Sequence, residues 1–581
     1  MDAQSKSEIR DNMHIDWDVP LRMDDGVVLR ADVFRPVGEG RWPVIMSYGP
    51  YGKGLAFQEG YKTAWELMVK EHPDAVSNTS NAYANWEVVD PEKWVPDGYV
   101  VIRVDSRGAG RSPGYLCHND AREQKDYHDC IEWAAVQPWS TGKVGLNGIS
   151  YYAANQWRAA ATQPPHLTAI CVWEGWQDNY RDGNRHGGII CTFRKNWQDM
   201  QVKTVQHGVG ERGAKSRLTG ELVCGPETLT EEQLVANREN MWAELLKRPQ
   251  LTDYHRERTA DLSKVTVPLL SAANWGGQGL HTRGNFEGYL GAASQQKWLE
   301  VHGDSHWAPF YTDYGVELQK RFFAHFLKGE ANGWERQPRV QLNVRHVDRF
   351  EIRHEDEWPL KRTQWTRYYL DPHGMKLTTV APSVASTLAY ATMGDGLTFM
   401  SEPLRESLEI TGPSSLKLRV ASKTRDADLF VVLRVFRPDG REVLFQGALD
   451  PLTPIGQGWL RASQRKQDPA RSLPYRPWHT HDESQPLAPG VPVDLEVEVW
   501  PTCIVVPPGY RVGLTVRGRD YEHGLNAATL SNMKNPMNGC GPFIHDDPED
   551  RPPAVFDTEV TLHFGPEVGA GILLPIIPPK A

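Results

Sequence analysis

Near residue 375 the hydrophobic pattern of this 581-residue chain changes period, and few architectures accommodate such a change. Before it, short apolar runs alternate with stretches of helical spacing. Val44 to Ser47, Tyr99 to Val104, Lys143 to Asn147, Leu167 to Trp173, Val267 to Ala273 and Trp298 to His302 read as buried strands bounded by Pro and Gly. Tyr127, Ile131, Ala134 and Ala135 recur at helical spacing behind an Asn119/Asp120 cap, and Ala153 to Ala161 reads as a small-residue helix. This alternation predicts an α/β class, a largely parallel sheet with helices on both faces. After residue 375 the pattern becomes short alternating strands between Gly/Pro turns: Ser415 to Val420, Leu429 to Phe436, Val493 to Trp500, Arg511 to Val516 and Glu559 to Phe564. That is the signature of an all-β sandwich or jelly-roll.

Two segments interrupt the first rhythm. Gly54 to Val95 is an insertion with a helix around Lys62 to Lys70. Residues 185–262 form a helical lid, in which the capping box Thr230-Glu231-Glu232-Gln233 leads a helix to about Lys247. The expected organisation is therefore a first α/β part over 1–184, the lid over 185–262, a second α/β part over 263–375, and a β-domain over 376–581. A Pro-, Arg- and His-rich stretch, Gln464 to Gly490, lies inside the last.

Composition narrows the function classes. Lys+Arg 64 against Asp+Glu 74 leaves a net charge of −10, which argues against nucleic acid as a partner. No apolar run approaches the roughly 18 residues that span a bilayer, so no membrane partner is expected. Met1 to Asp16 is polar, without the apolar core of a secretory signal, and the expected location is cytoplasmic. Seven Cys without a CxxC pair imply neither a disulfide framework nor a zinc knuckle. His479 and His481 have a superficial metal-ligand look, but sit in the Pro-rich loop, and no metal or cofactor is expected.

Gly148-Ile149-Ser150-Tyr151-Tyr152-Ala153 lies between an expected strand and an expected helix. A serine nucleophile needs such a sharp strand-to-helix turn, closely flanked by small residues, to lift its Oγ above a sheet. Alone, the motif also reads as a helix N-cap, because Tyr152 stands at the second glycine of G-x-S-x-G. Upstream, however, lie Asp105-Ser106-Arg107-Gly108-Ala109-Gly110-Arg111-Ser112-Pro113-Gly114, then Glu132-Trp133 to Gln137-Pro138-Trp139. Downstream lie Leu397-Thr398-Phe399, Ser401 to Leu404, Glu409 to Pro413, Trp500-Pro501-Thr502 and Pro508 to Arg511. This series resembles the cocaine esterase / Xaa-Pro dipeptidyl-peptidase (CocE/NonD) family of serine hydrolases over nearly the whole chain. The resemblance implies an α/β-hydrolase fold with a helical lid and a C-terminal jelly-roll of the galactose-binding-like kind. It also implies Ser150 as nucleophile, with Ala153 departing from the family's glycine.

The base is expected on a loop after the last sheet strand, and His306 in Gly303-Asp304-Ser305-His306-Trp307 is similar to the family's G-P-W-x-H loop. His302, within the strand, reads as a packed core histidine. The family's acid should follow Val267 to Ala273, but Gly277 stands at that position. Glu174, at the tip of the strand after the nucleophile helix, keeps the order Ser, acid, His and is the expected replacement, with Asp178 as the alternative. The backbone N–H of Tyr151 and, by resemblance, the hydroxyl of Tyr51 in Pro50-Tyr51-Gly52-Lys53 form the expected oxyanion hole, with Tyr48 the rival. Among 21 Trp, Trp173, Trp176, Trp275 and Trp307 fall beside the catalytic loops, so Trp176, Trp275 and Trp307 are candidate substrate-binding residues.

The reading is a serine hydrolase that cleaves small-molecule carboxylic esters or amides through an acyl-enzyme. A homo-oligomeric state stays open. Two alternatives stand: an Xaa-Pro dipeptidyl-peptidase or alpha-amino-acid ester hydrolase type of aminopeptidase, whose α-ammonium Asp178 and Asp182 could anchor, and a catalytically inactive binding protein on the same scaffold.

Overall fold

A computed structural model describes residues 6–579. Val100–Asp105, Trp42–Gly49, Ser140–Ile149, Leu167–Trp173, Leu269–Asn274, Lys297–His302 and Val340–Arg345 lie side by side in that order, all parallel, within an eleven-stranded sheet. Antiparallel strands complete both edges: Lys6–Arg10, Met13–Arg22 and Val28–Pro36 at one, Phe350–Glu355 at the other. The parallel strands read as near-continuous apolar runs because both faces are covered. Ile45 and Val101 pack with Phe323 and Leu327 on one face, while Val44, Met46, Val100 and Ile102 pack with Ile131 and Trp157 on the other. That is the period of two a strand requires.

The chain doubles back at Trp42–Gly49, whose neighbours are Val100–Asp105 on one side and Ser140–Ile149 on the other. Such a switch point opens a crevice beyond the carboxyl ends of the strands. Tyr51 and Ser150 leave the sheet on the two strands that flank it.

In the first insertion a helix covers Lys62–Glu71. In the lid, the single helix expected from Thr230 to about Lys247 is two, Glu231–Ala236 and Met241–Leu246. The Thr230/Gln233 capping box is present. The break comes from Leu116, whose N–H donates to the Asn237 carbonyl (2.8 Å) and whose carbonyl accepts from the Glu239 N–H (2.9 Å). Asn240 then recaps the chain by accepting from the Ala243 N–H.

The β-domain begins at Gln364–Asp371, earlier than the boundary expected at residue 376, because this strand pairs with Gly571–Ile576 and not with the parallel sheet. From Gln364–Asp371 the ladder runs through Lys376–Thr378, Leu397–Met400, Arg511–Arg517, Asp428–Phe436, Gly456–Arg461, Val493–Val506 and Leu408–Ser422, and Gly571–Ile576 joins the last to the first. The result is a strand-rich barrel around a separate core that includes Leu416, Val431 and Leu514. Among the described residues no helix is long and apolar enough to cross a membrane.

Candidate active site

Ser150 links Ser140–Ile149 to the helix Tyr151–Ala161 with φ 58° and ψ −112°. For a non-glycine residue this costs about 1–3 kcal/mol and persists only where the surroundings enforce it. They do: a Cβ on Gly148 would lie 2.5 Å from the Tyr152 Cβ, and one on Gly175 would lie 2.9 Å from the Ala153 Cβ. The second contact explains how Ala153 can stand at the family's glycine, since the facing residue has no side chain. As the first residue of its helix, Tyr151 has no preceding turn to accept its N–H. Its phenol faces away from the serine, donating to Glu123 (2.7 Å).

His306 follows Lys297–His302, and its N–H donates to the Ala448 carbonyl (2.7 Å), while the Ala448 N–H donates to Gly276 (3.0 Å). A β-domain loop thus pins both loops of the catalytic part. His306 Nδ1 lies 2.8 Å from Glu174 Oε2. The other oxygen of Glu174 accepts from Asn274 Nδ2 (3.1 Å) and meets His302 Nε2 (2.9 Å), whose Nδ1 meets Glu300 (2.7 Å). His302 therefore braces Glu174 and is more than core packing. Asp178 is elsewhere, ion-paired to Arg181 at 2.7 Å. Gly277 lacks room for a side chain, since a Cβ there would lie 2.8 Å from Thr282 Oγ1.

Two residues missing from the sequence reading complete the constellation. Glu87, at φ 63° in the first insertion, brings Oε1 to 2.9 Å from His306 Nε2. Its Oε2 is buried without a well-aligned donor, although the Ser150 hydroxyl is near enough to favour the ionised form. His281 Nε2 lies 3.0 Å from Ser150 Oγ, and its Nδ1 accepts from the Trp176 N–H (3.1 Å). The direct Ser150–His306 hydrogen bond of a simple triad is not among those of the described residues; Glu87 takes His306 Nε2 and His281 takes the serine. Glu87 sits in an insertion without a motif, and its only signal is a lone carboxylate between Trp86 and Val88. His281 lies four residues past Gly277, on the loop already singled out for its missing acid.

The electrostatics follow from these contacts. Burial opposes charge on His306, but the Glu174 and Glu87 carboxylates outweigh it and push its pKa up to about 10. Burial pushes Glu87 up to about 7 despite the facing imidazolium. Glu174, although buried, is held below the usual carboxylate range by His306 and His302. Burial, aided by the charge on His306 stacked 5.2 Å away, keeps His281 neutral. A neutral His281 whose Nδ1 accepts a backbone N–H carries its proton on Nε2, so it donates to Ser150 Oγ.

Tyr51 lines the same cavity as Ser150, and its oxygen accepts from Trp197 Nε1 (3.0 Å), leaving its own proton free. Burial and Glu87 hold this phenol protonated. Tyr48 is stacked on Tyr127 and away from the cavity lining. Trp176 lines the cavity, but Trp275 and Trp307 do not. Trp275 donates to the Asn343 carbonyl (2.8 Å) and packs on Phe286 and Trp358, and Trp307 donates to Ala64 (3.0 Å). Trp86 and Trp197 stand in their place, with Leu449 and Phe543 from the β-domain. His479 and His481 are buried beside Arg181, and burial holds both below the ordinary histidine range.

Residues 25–308 match the family model X-Pro dipeptidyl-peptidase (S15 family), and residues 332–549 match X-Pro dipeptidyl-peptidase C-terminal non-catalytic domain. A cocaine esterase from Rhodococcus sp. (strain MB1 Bresler) is 24% identical, with 97% of this chain and 99% of that protein aligned. An alpha-amino acid ester hydrolase, 16% identical with a TM-score of 0.66 over 97% of both chains, shares the fold. The structure of a CocE/NonD family hydrolase from Staphylococcus aureus is 30% identical, with a TM-score of 0.82 over 97% of this chain and 94% of its own. Two covering family models and a full-length relative at that identity place this chain in the CocE/NonD family of hydrolases.

Proposed function

We propose that this protein is a serine hydrolase of small carboxylic esters or amides, built on an α/β-hydrolase core and working through an acyl-enzyme. The observation that carries it is Ser150 at a strained strand-to-helix turn, with a Glu87–His306–Glu174 chain and a His281 donor converging on it. Ser150 attacks the acyl carbon and its proton passes to the Glu87–His306 pair, while Glu174 holds His306 Nδ1. The pair suits the task, because a general base works best when it titrates near the operating pH, and Glu87 stands at about 7. The Tyr51 hydroxyl and Tyr151 N–H are the oxyanion donors, and His281 Nε2–H supports negative charge on Oγ. The pair then protonates the leaving group, and water attacks the acyl-enzyme by the same route. Substrate is the only partner this reading requires.

The peptidase alternative takes its support from the family models' names. Against it, Asp178 and Asp182 are spent on Arg181 (2.7 Å) and Arg283 (2.9 Å) and neither lines the cavity. For the β-domain we propose the jelly-roll of galactose-binding-like domains, supported by its antiparallel ladders. Seven unpaired cysteines support a reducing, cytoplasmic setting. A fluorophosphonate probe tests the central claim: it labels the wild type and not Ser150→Ala, and no labelling of either would leave the inactive binding protein. A methyl ester, an N-acyl amide and a free-amine dipeptidyl anilide then rank the substrates, and a strong preference for the last would favour the peptidase.

A further inference from the structure

Arg194, in the lid helix Phe193–Trp197, is 4% exposed and lines the cavity that holds Ser150. Its guanidinium lies over the rings of Trp176 (4.7 Å) and Trp197 (5.7 Å). Only its Nε–H is used, donating to Asn184 Oδ1 (2.9 Å), and Nη2 is buried without an acceptor. Among the described residues no carboxylate forms an ion pair with it, and burial disfavours its charge. Arg185 is spent on Asp550, Arg461 on Asp428, and Arg158 on the carbonyls of Arg258 and Ala154; Arg517 also has unpartnered nitrogens, but does not line this cavity.

A second observation comes from the β-domain. Asn532, 5% exposed, lines the same cavity, and neither Oδ1 nor Nδ2 of its amide has a partner. A buried guanidinium with a free terminal N–H group and a buried carboxamide without partners both call for hydrogen-bond partners inside the cavity, which a bound ligand can supply. The other charged groups on the cavity, Glu87 and His306, already face each other and so leave Arg194 uncompensated.

We propose that the substrate's acyl part carries a carboxylate, which Arg194 binds by its terminal N–H groups with Asn532 Nδ2 as a further donor, so that this is a hydrolase of anionic esters or amides such as half-esters of short dicarboxylic acids. A planar guanidinium recognises a carboxylate in this way. The apolar walls, Phe193 and Leu280 among them, suit a short aliphatic spacer. This inference rests on the serine-hydrolase reading above.

The test compares kcat/KM for monomethyl glutarate and methyl valerate by pH-stat at pH 8, where the carboxylate is ionised. Wild type is expected to favour the half-ester at least tenfold, and Arg194→Gln to lower that ratio by about 100-fold. Fluorophosphonate labelling at Ser150 reports that the variant's site is intact. Should the glutamine variant fail to label, Arg194→Lys, which keeps the charge but not the planar fork, is expected to lower the ratio at least fivefold. A wild type that labels but prefers the neutral ester, or a ratio unmoved in the labelling variants, overturns the anionic substrate alone. A wild type that neither labels nor turns over either ester overturns the hydrolase reading beneath it.

Discussion

Glu87→Gln is the perturbation that most directly examines the proton path. In the wild type the Glu87–His306 pair holds one proton at neutral pH and takes up a second as the pH falls through about 7. The doubly protonated pair cannot accept the serine proton, so kcat/KM should fall below that pH, to about one hundredth of its plateau at pH 5 if one proton is involved. Glutamine removes a charge 2.9 Å from His306 Nε2. At an effective dielectric of 20 that charge is worth about 6 kcal/mol, or roughly four pH units, so His306 drops from about 10 toward neutrality. A lower bound also applies. The doubly protonated pair can lose its proton from either member, so its first apparent pKa cannot exceed that of His306 beside an uncharged Glu87, which glutamine mimics. The acid limb of the variant should therefore lie at or above the wild-type limb, between about pH 7 and pH 10. Because glutamine cannot take the proton itself, kcat/KM at pH 7 should fall by at least about 100-fold. Initial rates on methyl valerate from pH 5 to 10, with circular dichroism as a fold control, give both readouts. A limb displaced to lower pH, or a profile that superimposes on wild type, would falsify the Glu87 relay.

Much of this site can be read from sequence because it depends on local rules. The turn at Ser150 follows from a strand, a glycine and a helix in succession, while its reading as nucleophile and not helix N-cap comes from the family resemblance; Glu174 follows from the chain order of an acid at a strand tip. Both are properties of backbone direction, which periodicity encodes. Glu87 and His281 could not be read in that way, because what brings them to Ser150 is tertiary: an insertion folded over the sheet, and a backbone N–H at Trp176 that sets one imidazole tautomer. Trp275 and Trp307 show the opposite failure. Adjacency to a catalytic loop does not say which way an indole turns, and both turn toward carbonyls in the core. The β-domain start was misplaced for a related reason, since Gln364–Asp371 owes its sheet membership to Gly571–Ile576 some 200 residues away. The loop at Ala448 that holds His306 is likewise visible only in the assembled domains.

Three further substitutions examine the groups around the serine. Tyr51→Phe removes a buried donor, and a loss of about 10²–10³ in kcat is expected, with an unchanged circular dichroism spectrum as the fold control. Glu174→Gln should lower kcat by about 10³–10⁴, the order associated with a triad carboxylate, and a loss under about tenfold would remove it from that role. The last concerns the displaced acid. Were position in the chain all that mattered, Gly277→Asp would restore the family's arrangement and rescue Glu174→Gln. The geometry forbids it: the new Cβ would stand 2.8 Å from Thr282 Oγ1, and that hydroxyl is committed to the Asn274 carbonyl at 2.6 Å. Thr282 opens the helix Thr282–Gly291, which packs on Leu269–Asn274, so moving it displaces a packed element and not a flexible tip. The crowding should cost about 1–3 kcal/mol, read as a lower urea midpoint. The double variant should thus stay within about threefold of Glu174→Gln in kcat while being less stable, and a rescue of about thirtyfold or more would mean that an acid can still reach His306 Nδ1 from the family's usual loop.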